Sequence, residues 1–81
     1  MRDKKLVPKG TLMRVVGGVN VYPGDDGIDS WKELGTLTAN SNVIFLGAVF
    51  FDGDFHFWRV LSSVGTGWVL STHLKKPRAQ K

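Results

Sequence analysis

An all-β fold, a small barrel of five to six short strands with a 3₁₀ turn before the last one, is predicted by three features of the chain. Short runs rich in β-branched and aromatic residues recur between clusters of Gly, Pro, Asn and Asp, and no segment repeats its apolar residues at helical spacing. Asp52-Gly53 lies between Phe51 and Asp54, a tight-reversal signal, because such a turn needs positive φ and glycine takes it without steric penalty. Residues 57–61 and 67–70 are two apolar runs separated by turn composition, which reads as a second hairpin.

Taken in order, Pro8 and Gly10 mark a lead-in and residues 12–16, Leu-Met-Arg-Val-Val, form the first strand. Gly17-Gly18 permits a bend or bulge, after which residues 19–22 continue extended. The run Pro-Gly-Asp-Asp-Gly-Ile-Asp-Ser at 23–30 is a loop by its turn residues, and Trp31-Lys32-Glu33 leads back to a strand at 34–37. Residues 38–42 are a polar turn, and 43–51 is the longest apolar strand. Its hairpin partner runs over 55–61, residues 62–67 turn the chain, with Gly67 expected at positive φ and therefore intolerant of a residue with a Cβ, and 67–70 is the next strand. Ser71-Thr72-His73 suits a single 3₁₀ turn, and residues 74–76 form a short last strand ended by Pro77. Val15, Val21, Leu34, Leu37, Val43, Phe45, Val60 and Val69 are enough to fill the interior.

With 81 residues the chain makes one domain, since a single core is about all its apolar surface can fill. The expected division is a basic lead-in at 1–9, a barrel at 10–76 and a basic tail at 77–81. A hydrophobic share of 42 % suits a packed core and excludes a disordered composition. Without cysteine, disulfides and thiolate metal sites are ruled out. No apolar run has the length of a membrane span, and Met1-Arg2-Asp3-Lys4-Lys5 is not followed by a signal-peptide apolar region. These features lead to the expectation of a cytoplasmic protein with no membrane partner.

The net charge of +4 divides unevenly. Arg2, Lys4, Lys5 and Lys9 outnumber Asp3 before Gly10, and Lys75, Lys76, Arg78 and Lys81 follow Leu74. Between them Arg14, Lys32 and Arg59 face Asp25, Asp26, Asp29, Glu33, Asp52 and Asp54, so the body is net acidic. The basic character belongs to the two ends, which are expected to project from one end of the barrel with the acidic loops nearer the other.

Several motifs carry a family likeness. Gly67-Trp68-Val69, Ser71 and Leu74 match, position for position, the Gly-Trp-Val-x-Ser-x-x-Leu that follows a Trp-Tyr-x-Val strand in the bacterial SH3 family. Val19-Asn20-Val21-Tyr22-Pro23-Gly24 resembles that family's Leu-Asn-Val-Arg-x-Gly. Leu34-Gly35-Thr36-Leu37 and Val43-Ile44-Phe45-Leu46-Gly47 resemble its Gly-Thr-Leu and Val-x-Val-Leu-Gly strands. The likeness to an SH3-like barrel spans residues 11–76 and implies that fold. In eukaryotic SH3 domains the peptide groove uses a long-loop aromatic, the first Trp of a Trp-Trp pair, a Pro after Trp-Val and a Tyr three residues later. Tyr22 takes the first place by this resemblance, while Phe57, Leu70 and His73 stand at the other three and depart from the pattern. Those departures argue against a polyproline groove of the usual kind.

Chemistry has little to work with. Ser71, His73 and Asp54 make a triad only on paper, because a small open barrel offers no shielded pocket, and no enzymatic activity is expected. Asp25, Asp26 and Asp29 resemble a calcium loop only loosely, lacking its spacing and terminal Glu, so they read as a solvated acidic loop and neither metal nor cofactor is expected. The aromatics are more telling. Phe50, Phe51, Phe55, Phe57 and Trp58 crowd one hairpin, and the two-sidedness of a strand forces some of them away from the core. The surplus reads as an apolar partner surface, with an enlarged core or a self-association face as the competing explanation.

The expected ligand site therefore has Tyr22, Trp31, Phe57, Leu70 and His73 in an aromatic groove, rimmed by Asp25, Asp26 and Asp29 of one loop and Asp52 and Asp54 of the other. A carboxylate rim around ring faces favours a ligand both apolar and basic. The function expected first is a non-enzymatic SH3-like module that binds a protein or peptide segment carrying basic residues. Three alternatives stand beside it. Cell-wall peptide (peptidoglycan) binding follows from the bacterial SH3 resemblance. Nucleic-acid binding would use the basic tails and not the acidic barrel. A structural subunit of a larger assembly, including a phage-type particle, is the last.

Overall fold

The computed structural model describes residues 7–75, which form seven strands and one 3₁₀ turn. The strands are β1 (Leu12–Val15), β2 (Val19–Val21), β3 (Gly35–Leu37), β4 (Asn42–Asp52), β5 (Phe55–Ser62), β6 (Gly65–Leu70) and β7 (Leu74–Lys75), with the 3₁₀ turn at Ser71–His73. The fold is all-β. It has more strands than the five to six expected because Gly17, at φ 78°, breaks the chain after β1, so residues 19–21 pair as a strand of their own. The basic ends expected at 1–9 and 77–81 lie outside the described residues except for residues 7–9, as does the expectation that both project from one end.

Two antiparallel sheets are present, a five-stranded one in the order β6-β5-β4-β1-β7 and the β2-β3 pair. Tyr22 and Trp68 join them through a reciprocal backbone pair, Tyr22 N–H to Trp68 O at 2.9 Å and Trp68 N–H to Tyr22 O at 2.8 Å. Among the described residues no pairing links β3 to β7, so the strands do not close into a complete barrel.

The interior between the sheets holds Val15, Val21, Leu37, Val43, Phe45, Trp58, Val60 and Val69, with the Phe45 and Trp58 rings 4.7 Å apart. Seven of the eight expected core residues are there. Leu34 is the exception, at 48 % exposure. It stands three residues from Leu37, and an odd separation along an extended chain sends two side chains to opposite faces, so only one of the pair can be internal.

The long β4 bends at a bulge between Phe45 and Val49, where Gly47 has φ 93°. Beyond the bend, β4 and β5 run together to the turn at Gly53, whose φ of 62° fits the reversal read from Asp52-Gly53. Alternation then divides the residues of β5 and β6 between two faces. Trp58, Val60 and Val69 face the core, while the register Phe50↔Phe57↔Leu70 puts these side chains on the other side together with Trp68. On that side residues 23–33 fold over the sheet and enclose a second apolar layer.

Gly67 occupies a crossing point between the sheets. Its backbone is not in the left-handed region, contrary to a positive-φ turn reading; the turn glycine is Gly65, at φ 116°. Gly67 is needed for space instead, because a Cβ there would lie 2.6 Å from both the Tyr22 carbonyl oxygen and Val21 Cγ1.

Candidate functional site

Five rings make up the second layer. Tyr22, Trp31 and Phe57 meet edge to face, with centroids 5.1 Å apart for Tyr22–Trp31, 6.2 Å for Tyr22–Phe57 and 5.7 Å for Trp31–Phe57. Phe50 continues the cluster to Phe57 at 6.2 Å and to Trp68 at 5.9 Å. Edge-to-face contacts align the positive ring edge with the negative face of a neighbour, so the rings brace one another in a continuous floor. Phe57 and Trp68 are buried in it, whereas Trp31 remains 54 % exposed at its margin.

Above this floor lies a groove of about 540 Å³. Six of the ten expected site residues line it: Tyr22, Trp31, Asp52, Phe57, Leu70 and His73. Gly18, Val19, Asn20 and Phe55 complete the wall and were not foreseen. Strand periodicity contained the signal for two of them, because Asn20 is two residues from Tyr22 and Phe55 two residues from Phe57, each on the same face as its neighbour. Asn20 is held by the Thr36 hydroxyl, which donates to its Oδ1 at 2.9 Å.

The carboxylate rim is narrower than the composition suggested. Asp25, Asp26 and Asp29 are exposed and do not line the groove, and Asp54 lines a neighbouring depression. The loop backbone explains the divergence. Gly24 and Gly27 have φ of 140° and 150°, and Asp29 N–H donates to Pro23 O at 2.9 Å, so the loop doubles back with its main chain toward the sheet. Gly27 rests on the Phe50 ring, where a Cβ would approach to 2.7 Å. With the backbone facing inward, the aspartates point to solvent. Asp25 contacts Arg59 at 3.3 Å but is 91 % exposed, so solvent screens the pair and it contributes little.

His73 is fixed in place. Its Nδ1 lies 2.9 Å from the Val16 carbonyl oxygen, and the Val16 N–H donates to the His73 carbonyl at 2.7 Å. A carbonyl oxygen only accepts, so Nδ1 carries the hydrogen, and in the neutral ring Nε2 is left as the acceptor. Val16, and not Asp54, orients the imidazole. Ser71 and Asp54 line the neighbouring depression without His73, so the structure does not assemble the paper triad. Among the described residues no group of three or more His, Asp or Glu side chains is arranged to hold a metal ion, and no helix is long and apolar enough to cross a membrane.

The arrangement offers a ring-floored channel with one carboxylate, one fixed imidazole and one side-chain amide on its walls, and among the described residues no Lys or Arg lines it. It presents ring faces to solvent together with hydrogen-bond acceptors at Asp52 and His73. No family model, curated protein or solved structure matches the chain.

Proposed function

We propose that this chain is a binding module of the SH3-like class, akin to bacterial SH3 domains, which takes an extended protein segment into the groove over Tyr22, Trp31 and Phe57. The strand order of the five-stranded sheet, the long loop between β2 and β3 and the 3₁₀ turn before β7 favour that class. The reading rests on one observation above all. Trp31 is half exposed yet packs edge to face on two rings that are more deeply seated, so the groove presents a supported aromatic wall to solvent. Exposed apolar surface already packed in place has less ordering to pay for when it captures a ligand. In this reading the module binds without catalysis: its imidazole is tied to a backbone carbonyl, and among the described residues no Ser, Thr or Lys lines the groove beside it.

A random peptide library displayed on phage, selected against the wild type and counter-screened on Trp31→Ala, tests this reading. Enriched peptides that lose binding to the variant support it. A library that yields no enriched peptide, or only peptides that bind both proteins alike, rejects it.

A further inference from the structure

One end of the outer face of the five-stranded sheet is bare and apolar. The register aligns Leu12 with Ile44 and Ile44 with Leu61, so these three side chains form a row across β1, β4 and β5. They are exposed, at 46 %, 36 % and 46 %, because strand alternation turns their neighbours Met13, Val43, Phe45 and Val60 into the core instead. The other end of the same face is covered. Residues 23–33 lie on it, with the Gly24 carbonyl accepting from the Trp68 indole and Gly27 against the Phe50 ring, and Asp25 reaches Arg59, two residues before Leu61 on β5. The face is therefore stepped, raised at the loop and low along the row.

Charge follows the step. Each Asp and Glu among the described residues belongs either to the covering loop, as Asp25, Asp26, Asp29 and Glu33 do, or to the β4–β5 turn at the same end of β5. Beyond the row, at the low end, Arg14 on β1 stands directly opposite Lys75 on β7, and like charges paired in this way cost stability. Arg14 donates to Asn40 Oδ1 at 3.2 Å, and neither cation forms an ion pair among the described residues. One face thus carries an acidic rise, an apolar middle and a basic floor.

We propose that two copies of this chain associate through this face as a two-fold dimer, the apolar row of each lying on that of the other. A two-fold axis along the row turns the second copy end for end, so the raised acidic loop of each copy sits on the low basic end of its partner. An axis along the strands would instead set loop on loop and Arg14 on Arg14, which both charge and relief oppose. The contact is isologous and closes at two copies. Burial of Leu12, Ile44 and Leu61 supplies the attraction, and the opposed charges fix the orientation. Neither these three residues nor Arg14, Lys75 and the loop aspartates line the groove over Tyr22, Trp31 and Phe57, so the dimer is independent of the binding reading.

Sedimentation equilibrium of the full chain is the test. Wild type is expected to pass from monomer to dimer between about 1 μM and 1 mM, with association weakening as salt rises. Ile44→Glu, at an exposed position, should abolish the dimer. Two charge reversals, Arg14→Glu with Lys75→Glu and Asp26→Lys with Asp29→Lys, should each weaken it about tenfold or more. Mixed in equal amounts, the two reversed proteins should recover association as a heterodimer, because each then meets the opposite charge at both contacts. Thermal midpoints establish that the variants fold, and the mixing experiment decides the matter by itself should Ile44→Glu fail to fold. A wild type that stays monomeric to about 1 mM at low salt overturns the proposal and leaves the face to a foreign acidic partner. Growth beyond dimers, a dimer that survives Ile44→Glu, or reversed proteins that do not associate on mixing overturn it equally.

Discussion

The indole Nε1–H of Trp68 donates to the carbonyl oxygen of Gly24 at 2.8 Å, tying the loop over residues 23–33 to a residue buried in β6. The same Trp68 exchanges backbone hydrogen bonds with Tyr22 and contacts the Phe50 ring. One residue therefore joins the two sheets, the loop and the aromatic floor. Trp68→Phe should keep most of the packing and remove the only donor of the indole. With the Gly24 carbonyl left unmet, a loss of about 1 to 3 kcal/mol is expected. Faster amide exchange across residues 24–31 than in β4 and β5 would locate the effect in the loop. Uniform acceleration throughout the domain would show that the bond is not what holds the loop down.

Gly67→Ala tests how closely the sheets approach one another. Its Cβ would sit 2.6 Å from the Tyr22 carbonyl oxygen and Val21 Cγ1, and because the carbonyl belongs to the bridge with Trp68, the backbone cannot yield cheaply. Overpacking of this kind costs about 1 to 3 kcal/mol, measurable as a lower urea midpoint. An unchanged midpoint would mean that the two sheets move apart freely.

The sequence foretold the destabilising effect at Gly67 but for another reason, and the difference shows where sequence reading stops. Strand pattern and turn residues are local, so the β4–β5 hairpin, the β5–β6 hairpin and seven of the eight core positions were legible. Which glycine carries the turn, Gly65 or Gly67, depends on register, and the crowding at Gly67 comes from β2, more than forty positions away. The site divides in the same manner. Tyr22, Phe57, Leu70 and His73, expected from the family resemblance, and Trp31, which borders the long loop, come together around one groove. Asp25, Asp26 and Asp29 were placed by charge alone, and the direction of a loop carboxylate is set by backbone reversals at Gly24 and Gly27 and by contact with Phe50, none of which composition records. Of the surplus aromatics, Phe51 and Phe55 are indeed exposed, at 63 % and 58 %, whereas Phe57 and Trp58 are buried on opposite faces of β5.

Burial of Phe57 separates two mutations that composition treats alike. Phe57→Ala would remove a ring touching Tyr22, Trp31 and Phe50, and the expected cost is about 3 to 5 kcal/mol of stability, enough to unfold many small domains. Trp31→Ala removes a half-exposed ring and should change the thermal midpoint far less. Its effect should appear instead as faster ligand dissociation, worth about 1 to 3 kcal/mol in affinity. Binding curves for Trp31→Ala on a folded protein decide the matter, and full affinity would remove Trp31 from the site.

The aspartates should fall into two groups. Asp52 lines the groove, while Asp25, Asp26 and Asp29 face solvent outside it. A charge at the contact acts over a few ångströms, whereas one beyond the Debye length, about 8 Å at physiological salt, is largely screened. For a basic peptide selected on the wild type, Asp52→Asn should therefore slow association and lower affinity even at physiological ionic strength. The triple change of Asp25, Asp26 and Asp29 to Asn should slow association only at low salt and leave dissociation untouched, because distant charges steer encounter without holding the complex. Stopped-flow rates across a salt series separate the two behaviours. If the triple variant lost as much affinity as Asp52→Asn at physiological salt, the loop would have to turn its carboxylates onto the ligand, and the single-carboxylate groove described above would be wrong.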